Sequence, residues 1–418
     1  MTFNDCFRSP ETLVPLDQAL DLLAANVHPV TQVENVSTFT AARRILAQDL
    51  VSSVTNPPFD SSAMDGFAFR FADLAQAADG SLKVTARIAA GLFHTGAFAV
   101  GEAAQIFTGA PLPAGLDTVA MQEDCTLDGD RLRLPSGLKI GNFVRRTGED
   151  YTTGTTVLPQ GKRLRPQDVA IAAAIGRAEL PVYARLRIGV FSTGDEVVEP
   201  GRPLPDGAIY GSNRHAVAAL CAGLGAQIED LGNIPDDLNA TIARLNDAAA
   251  RCDLLITTGG VSVGGEDHVR AAVDHLGAIH LWRLAIKPGM STAFGHVGAV
   301  PFVGLPGNPV SAQVAFMLIA RPVILRLSGA TAEPIHPQRF PVRAAFSFRK
   351  DHPRRQFLRV SVETGEDGAP QAVLYRSQEP NILSSLVNTD GLVDLRENLR
   401  QVQPGDMVEF LPYAVLQW

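Results

Sequence analysis

Between Leu186 and Gly329, apolar runs of strand length alternate with runs whose apolar positions recur at helical spacing. The pattern predicts strands over 187–192, 227–234, 253–258, 279–286 and 299–304. Helices are predicted over 213–223, 237–251, 266–274 and 310–327. Such alternation specifies βαβ units, and so an α/β domain at 181–329 with a doubly wound, mainly parallel sheet. Upstream, PLDQALDLLAA (15–25) and residues 38–48 have helical spacing, as does 165–180 with Gly176 near its end. Residues 181–187 read as a hinge. From Leu82 to Arg146 strand-like segments dominate, broken by turns at Gly91, Gly115, Asp128-Gly129 and Gly141, which predicts a β-rich domain over 28–148. After Gly329 come FPVRAAFSF, QFLRVSVET, QAVLYRS and GDMVEFLPYAVL, the short alternating strands of a small β-barrel or sandwich at 330–418. The whole is multidomain, α/β plus all-β.

At 418 residues the chain is too long for one core, which fits two to four domains. With 46% hydrophobic and 19% charged residues it has the composition of an ordinary soluble globular protein. A net charge of −8 supplies no basic face, which counts against nucleic acid as a partner. Cys6, Cys125, Cys221 and Cys252 show no metal-site or disulfide spacing, as expected of a reducing, cytoplasmic setting. The N-terminal MTFNDCFRSPETLVP lacks the apolar core of a secretion signal. Arg321 and Pro322 interrupt the most apolar helix, so no membrane span is expected.

Candidate chemistry gathers in loops that leave the carboxyl ends of the predicted strands, where open α/β sheets bind ligands. The loop 257–267, TTGGVSVGGED, carries four glycines and three hydroxyls, letting backbone amides approach a phosphate closely. A second loop, LAIKPGM, supplies Lys287. The third, GLPGNPVSA, offers Asn308 as helix N-cap, Pro309 at the first helical position and Ser311 in the first turn. A helix starting there would aim free amides and its positive dipole end at an anion. Any one of these loops alone reads as a tight turn; three at one sheet edge point to a small, highly anionic ligand. Asp195, Glu196, Asp236, Asp237, Glu266 and Asp267 collect at the same edge. Asp237 suits an N-cap and Glu266 a first turn, but the acids outnumber what capping needs, and hard oxygen ligands beside a phosphate loop fit Mg²⁺. In the β-rich segment, Asp65-Gly66 is either a turn entering a strand or part of an acidic loop. Thr108 either caps its turn or faces a ligand, and Arg145 to Asp150 read alone as a solvated charge cluster.

Taken in series, FDSSAMDGFA, FTGAPLPAG, RRTGED, FSTGDEV, GGVSVGGED, IKPG and GLPGNPVSA resemble the MoeA-type molybdopterin molybdenumtransferases, related to the gephyrin E domain. The similarity runs over essentially the whole chain. It implies insertion of molybdate into the dithiolene of adenylylated molybdopterin with Mg²⁺-dependent release of AMP, molybdopterin and molybdate being substrates. It implies a homodimer of four-domain subunits, with a discontinuous linker domain at 1–27 and 149–180. The site would then lie between the α/β domain of one subunit and the β-rich domain of the other. The molybdopterin adenylyltransferase and molybdoenzyme acceptors are implied as transient partners.

By the same resemblance, Asp65, Thr108, Asp150, Glu196, Asp236 and Asp267 match acidic or hydroxyl positions tied to activity. Glu196, Asp236 and Asp267 are the expected metal ligands. Substrate contacts fall on Thr193, Gly194, Gly259, Gly260, Ser262, Gly264, Lys287, Pro306, Gly307, Asn308, Ser311, Arg354 and Ser385. A molybdate oxygen is the expected attacking group, with no protein nucleophile, since phosphoryl chemistry rests on positioning and charge neutralisation. The sequence departs from the pattern at Met290, where lysine is usual, at Gly265 and Gln356, where acids are usual, and near Ser385, which lacks basic neighbours. The alternative is a non-catalytic paralogue that binds or delivers molybdopterin. A third and weaker reading is a phosphotransferase using other nucleotides, against which stands the lack of a G-x-x-x-x-G-K-[ST] string.

Overall fold

The structure, a computed structural model, describes residues 13–76, 80–261 and 268–417. Two compact units emerge: Met1–Gln48 with Gln160–Val169 and Ala178–Trp418, and Asp49–Pro159 with Ala170–Arg177.

In the first unit the alternating region folds as its spacing requires. It runs β1 (Arg187–Thr193), α1 (Asn213–Gly223), β2 (Gln227–Ile234), α2 (Leu238–Ala249), β3 (Leu254–Thr258), α3 (His268–Leu276), β4 (Gly277–Trp282), β5 (Ala293–Val297), β6 (Val300–Leu305) and α4 (Pro309–Ala315). The sheet order is β2-β1-β3-β6-β5-β4. The first four strands are parallel, β5 runs against them and β4, antiparallel to β5, runs with them again, giving the mainly parallel sheet expected. Register puts Ser192 beside Thr258 and Thr258 beside Leu305. The chain therefore leaves β1, β3 and β6 at one level, and the loops that follow start side by side.

From α4 the helix continues through a π-helical turn, Phe316–Ala320, into Arg321–Leu327. Pro322 cannot donate to the carbonyl a turn earlier and its ring crowds that turn, so the backbone widens just before it. Pro309–Leu327 is the one described helix long and apolar enough to cross a membrane, yet 89% of that window is buried inside the protein. Its residues Phe316, Leu318 and Ile324 share one buried cluster with Leu16, Leu20 and Leu23 of the N-terminal helix Leu16–Asn26, with Val190, Ile256 and Val303 of the sheet, and with Phe357, Leu392 and Leu411 further on.

Those last three belong to a barrel of β7 (Phe340–Ala344), β8 (Arg355–Thr364), β9 (Pro370–Leu374), β10 (Gly391–Leu395) and β11 (Met407–Pro412). The order β8-β9-β7-β11-β10 closes because β10 also pairs with β8. Before the barrel, Ile286 and Lys287 already pair with Arg355 and Gln356 at the start of β8. Inside, Asp394 accepts from Arg355 Nε and Nη2 at 2.7 and 2.6 Å and from Arg339 Nε at 2.9 Å. Arg355 Nη1 also reaches Asp17 of the N-terminal helix at 2.8 Å.

Several expectations fail where long-range pairing outcompetes local spacing. Residues 38–48 make one 3-10 turn, Thr38–Thr40, and no longer helix. The amides of Arg43, Leu46 and Ala47 donate instead to the carbonyls of Leu164, Lys162 and Pro181. The helix predicted to Leu180 covers only Pro166–Ala174, ending before Gly176, whose φ of 79° terminates it. Of the stretch that reads as a hinge, Pro181 to Tyr183 end the strand Glu179–Tyr183, antiparallel to Val33–Ser37, Arg187 begins β1, and only 184–186 connect them. The stretch 279–286 divides between β4 and the short pairing with the barrel, and local spacing gives no sign of β5 or β10.

The second unit is β-rich, with a six-stranded sheet in the order Thr118–Met121, Gly66–Phe69, Glu102–Ile106, Ser81–Ile88, Arg131–Arg133, Thr126–Asp128. Gly66 is required there: a Cβ would sit 1.9 Å from the Ala120 carbonyl oxygen.

Removing Asp394 leaves Arg355 buried with its main counter-charge gone. Asp394→Ala is expected to cost about 3–5 kcal/mol, seen as a lower melting transition in calorimetry. Arg396→Ala, which breaks an exposed pair with Glu409, is expected to cost under about 1 kcal/mol. Equal melting temperatures for the two variants would refute the ranking.

Candidate functional site

Where β1, β3 and β6 end, the structure has a cleft of about 850 Å³. Its wall includes Thr193, Gly194, Glu196, Asp236, Gly259, Gly260, Pro306, Gly307 and Asn308, all expected from the sequence. Gly259 and Gly260 have φ of 97° and 64°, the left-handed region, and a Cβ on Gly260 would fall 2.5 Å from Val269 Cγ2. The Gly259 amide, however, donates to Leu305 O at 3.0 Å and so holds the loop to β6 rather than facing a ligand. The hydroxyl of Thr258 is buried with no hydrogen-bond partner, an open polar atom in the cleft wall.

The STGDE loop is fixed by a residue that the sequence does not single out. Asn233, at the end of β2, accepts from Ser192 Oγ at 3.0 Å and donates to Gly194 O at 2.9 Å. The Glu196 carboxylate folds back over Gly194, where a Cβ would meet Glu196 Oε2 at 2.6 Å. Asp236 donates its amide to Asp195 Oδ1 at 3.3 Å. Desolvation first, then the charges of Asp195 and Glu196, push the Asp236 carboxyl above its ordinary value. Asp237 caps α2 through Ala240 N at 2.7 Å, as its position predicts. Tyr210, Asn213 and Ser291 also line the cleft, and no motif marks them in the sequence.

A second cleft of about 200 Å³ shares Ser291, Pro306 and Asn308 with the first. It brings together Lys287, Met290, Ser311, Arg354, Gln378 and Pro380. Asn308 occupies the N-cap position but makes no side-chain cap bond. Fewer amides are free at this helix start than expected, because Pro309 has none and Val310 donates to Pro380 O at 3.1 Å. Ser385 lines neither cleft. It is fully buried, donating to Ile382 O at 2.6 Å and accepting from Arg359 Nε at 3.2 Å. Arg359 Nη2 donates to the carbonyls of Ser377 and Glu379, so Ser385 steadies the loop that carries Gln378 and Pro380.

Asp65, Thr108 and Asp150 belong to the second unit. There the loop before Gly66 is stitched to the one after Ile106 by bonds between Ser62 and Ala110 and between Gly109 and Ser62. Asp65 Oδ1 accepts the Thr108 amide at 2.8 Å and its hydroxyl at 2.7 Å. These two bonds, the amide foremost, hold the Asp65 carboxyl below its usual range. Thr108 thus neither caps its own turn nor stands alone. Asp60 repeats the pattern, accepting from the amide and hydroxyl of Thr147 and from Arg146, so the charged run is a docked loop. Asp150 accepts from Asn56 Nδ2 at 3.0 Å. Ser262, Gly264 and Asp267 lie outside the described residues.

Comparison with known proteins bears on this geometry. Family descriptions match in series: the MoeA N-terminal region (domain I and II) at 14–176, a probable molybdopterin binding domain at 189–326, and the MoeA C-terminal region (domain IV) at 341–413. A molybdopterin molybdenumtransferase of Haemophilus influenzae is 37% identical over 402 residues, 96% of this chain and 99% of that one. One from Bacillus subtilis is 31% identical over 409 residues, 96% and 94% of the respective chains. A crystal structure of a molybdopterin biosynthesis protein from Pyrococcus horikoshii OT3 superposes with a TM-score of 0.80 at 27% identity, covering 96% of this chain and 100% of that one.

Thr108→Val removes one of the two donors to Asp65, so the carboxyl titration midpoint read by NMR is expected to rise. Asp195→Asn removes a like charge beside Asp236 and is expected to lower that midpoint. Unmoved midpoints would mean that these neighbours do not set the two acidities.

Proposed function

We propose that this chain, which belongs to the MoeA-type molybdopterin molybdenumtransferases, seats the adenylylated pterin in the wide cleft and molybdate in the small one. It is a transferase of molybdenum cofactor biosynthesis. The observation that carries the two-cleft reading is the shared wall of Ser291, Pro306 and Asn308. Two reactants on either side of one wall need only a short displacement to meet, which is how binding energy becomes rate.

Glycines, hydroxyls and the unpartnered Thr258 suit a phosphate and its pterin in the larger space. Lys287, Arg354 and the Ser311 hydroxyl suit a tetrahedral dianion in the smaller. Mg²⁺ fits the donor chemistry of Glu196 and Asp236: hard oxygens, mutually repelling, in no ion pair with another described residue. Among the described residues no group of three or more metal-binding side chains assembles. The remaining oxygens would come from Asp267, water and the substrate phosphate. When bound, the cation neutralises phosphate oxygens. Desolvation, with the charges of Asp195 and Glu196, raises the Asp236 pKa, and a bound cation would oppose that shift.

No side chain is needed as nucleophile. An oxygen of molybdate attacks the adenylate phosphorus and the phosphoanhydride bond breaks, leaving the pterin its phosphate and joining AMP to molybdate through that oxygen. The dithiolene sulfurs then bond to molybdenum, the Mo–O bond to AMP breaks so that AMP leaves with the oxygen, and the two thiol protons leave with a second oxygen as water. Asp65 stays ionised because Thr108 stabilises its charge, leaving Oδ2 as an acceptor only. It serves by position and charge. The four-domain division, with 1–27 and 149–180 as a linker domain, is part of this proposal. So is a homodimer in which Asp65 of one subunit completes the partner's site. A cation-hungry acid cluster beside a phosphate loop favours catalysis over simple storage, because binding an anion gains nothing from added negative charge.

Incubated with adenylylated molybdopterin and Mg²⁺, the protein is expected to release AMP only when molybdate is added. AMP release indifferent to molybdate would overturn the assignment. Asp65→Ala is expected to slow release by on the order of 10²-fold with the fold intact. Because the Asp236 pKa is raised, its carboxylate is lost on acidification sooner than an ordinary aspartate's. Activity should therefore fall as pH drops through that raised value, and Asp195→Asn should move the acid limb to lower pH.

A further inference from the structure

Two guanidiniums converge on one neutral side chain at the small cleft, which a lysine also lines. Met290 Sδ is approached by Arg354 Nη1 at 3.4 Å and by Arg283 Nη2 at 3.6 Å, while Lys287 lines the same cleft. A thioether is a weak acceptor and carries no charge to offset two guanidiniums. Arg283 Nε is buried with no hydrogen-bond partner, although a guanidinium ordinarily satisfies its donors. Among the described residues none of the three cations is in an ion pair, in a chain whose net charge is −8. Nearby, both ring nitrogens of His352 lack hydrogen-bond partners, and its pKa is depressed by desolvation first and then by Arg354 and Lys287. The field at this end of the cleft is positive.

We propose that Arg283 is a further oxyanion-binding cation, held behind Met290, and that Met290 is the neutral spacer that lets Arg283 and Arg354 share one position. This rests on reading the small cleft as the molybdate subsite. Met290 has three rotatable bonds and an adaptable thioether, so an entering dianion displaces it and takes over the donors that now point at sulfur. A lysine at 290 would bring an ammonium against two guanidiniums. It is Arg283, from the strand side, that supplies the charge such a lysine would carry.

Molybdate binding to the full-length protein, measured by isothermal titration calorimetry, tests this with Arg283→Asn, Met290→Leu, Met290→Lys and the double variant Arg283→Asn/Met290→Lys. Asparagine is chosen because Arg283 has φ 72°, which asparagine tolerates. Arg283→Asn is expected to weaken molybdate binding about tenfold or more, in line with losing a charge-assisted contact. Met290→Leu should bind within about threefold of the parent, Met290→Lys more weakly than the parent, and the double variant should recover most of the loss, which a merely structural arginine would not permit. Unchanged affinity in Arg283→Asn, or tighter binding in Met290→Lys alone, overturns the proposal. If Arg283→Asn fails to fold, tighter or weaker binding in Met290→Lys still decides. Weakening by Lys287→Met and Arg354→Gln with none from Arg283→Asn sinks this inference but leaves the subsite standing; no molybdate binding by the parent protein sinks both.

Discussion

Pro309–Leu327 has no face to turn toward water, and the larger unit is arranged to give it none. Sheet, N-terminal helix and barrel all press on it through one continuous cluster. Burying each large apolar side chain is worth roughly 1.5–3 kcal/mol, so the ten in this helix together engage roughly 15–30 kcal/mol, about twice the net stability of a typical protein, ~5–15 kcal/mol. Its position is fixed by that burial. The start of the helix therefore lies at a set height above the end of β6, and everything that lines the clefts is measured from there.

How much of this is visible in the sequence depends on the range of the interactions involved. The helix Asn213–Gly223 and the strand Gln227–Ile234 fall where local periodicity places them, because each buries one face against its immediate neighbours. The Gly-rich loops are legible because only glycine accepts the backbone found at 259 and 260. Residues 38–48 are not, since their amides answer to carbonyls more than a hundred residues away. Asn233 carries no signal because it acts through backbone carbonyls brought near by sheet register, and no motif marks that. Ser385 stands out by resemblance, but its hydroxyl is spent on Ile382 and Arg359. Asp65 and Thr108 are two unconnected signals forty-odd residues apart, and only strand pairing shows them to be one clasp.

The charge distribution has a simple logic. Acids gather at the wide cleft, where desolvation and then the charges of Asp195 and Glu196 raise the pKa of Asp236. Positive groups gather in the small one, lined by Lys287 and Arg354, and Met290 stands between Arg354 and Arg283. The two sides of Pro306 and Asn308 are thereby lined differently, with Glu196 and Asp236 on one and Lys287 and Arg354 on the other. Met290 reads as a loss when the sequence is compared with a motif; in three dimensions it is the neutral point about which the cations are arranged.

The short pairing of Ile286 and Lys287 with the start of β8 joins the two folds of this unit at its reactive edge. Gln378 and Pro380 of the barrel finish the smaller chamber, and Arg359 and Ser385 stiffen the arm that delivers them. The barrel is thus no mere appendage. A severed α/β half would keep most of the wide cleft but lose Arg354, Gln378 and Pro380 from the wall of the smaller one, so the pair of clefts is a property of the splice and of neither piece.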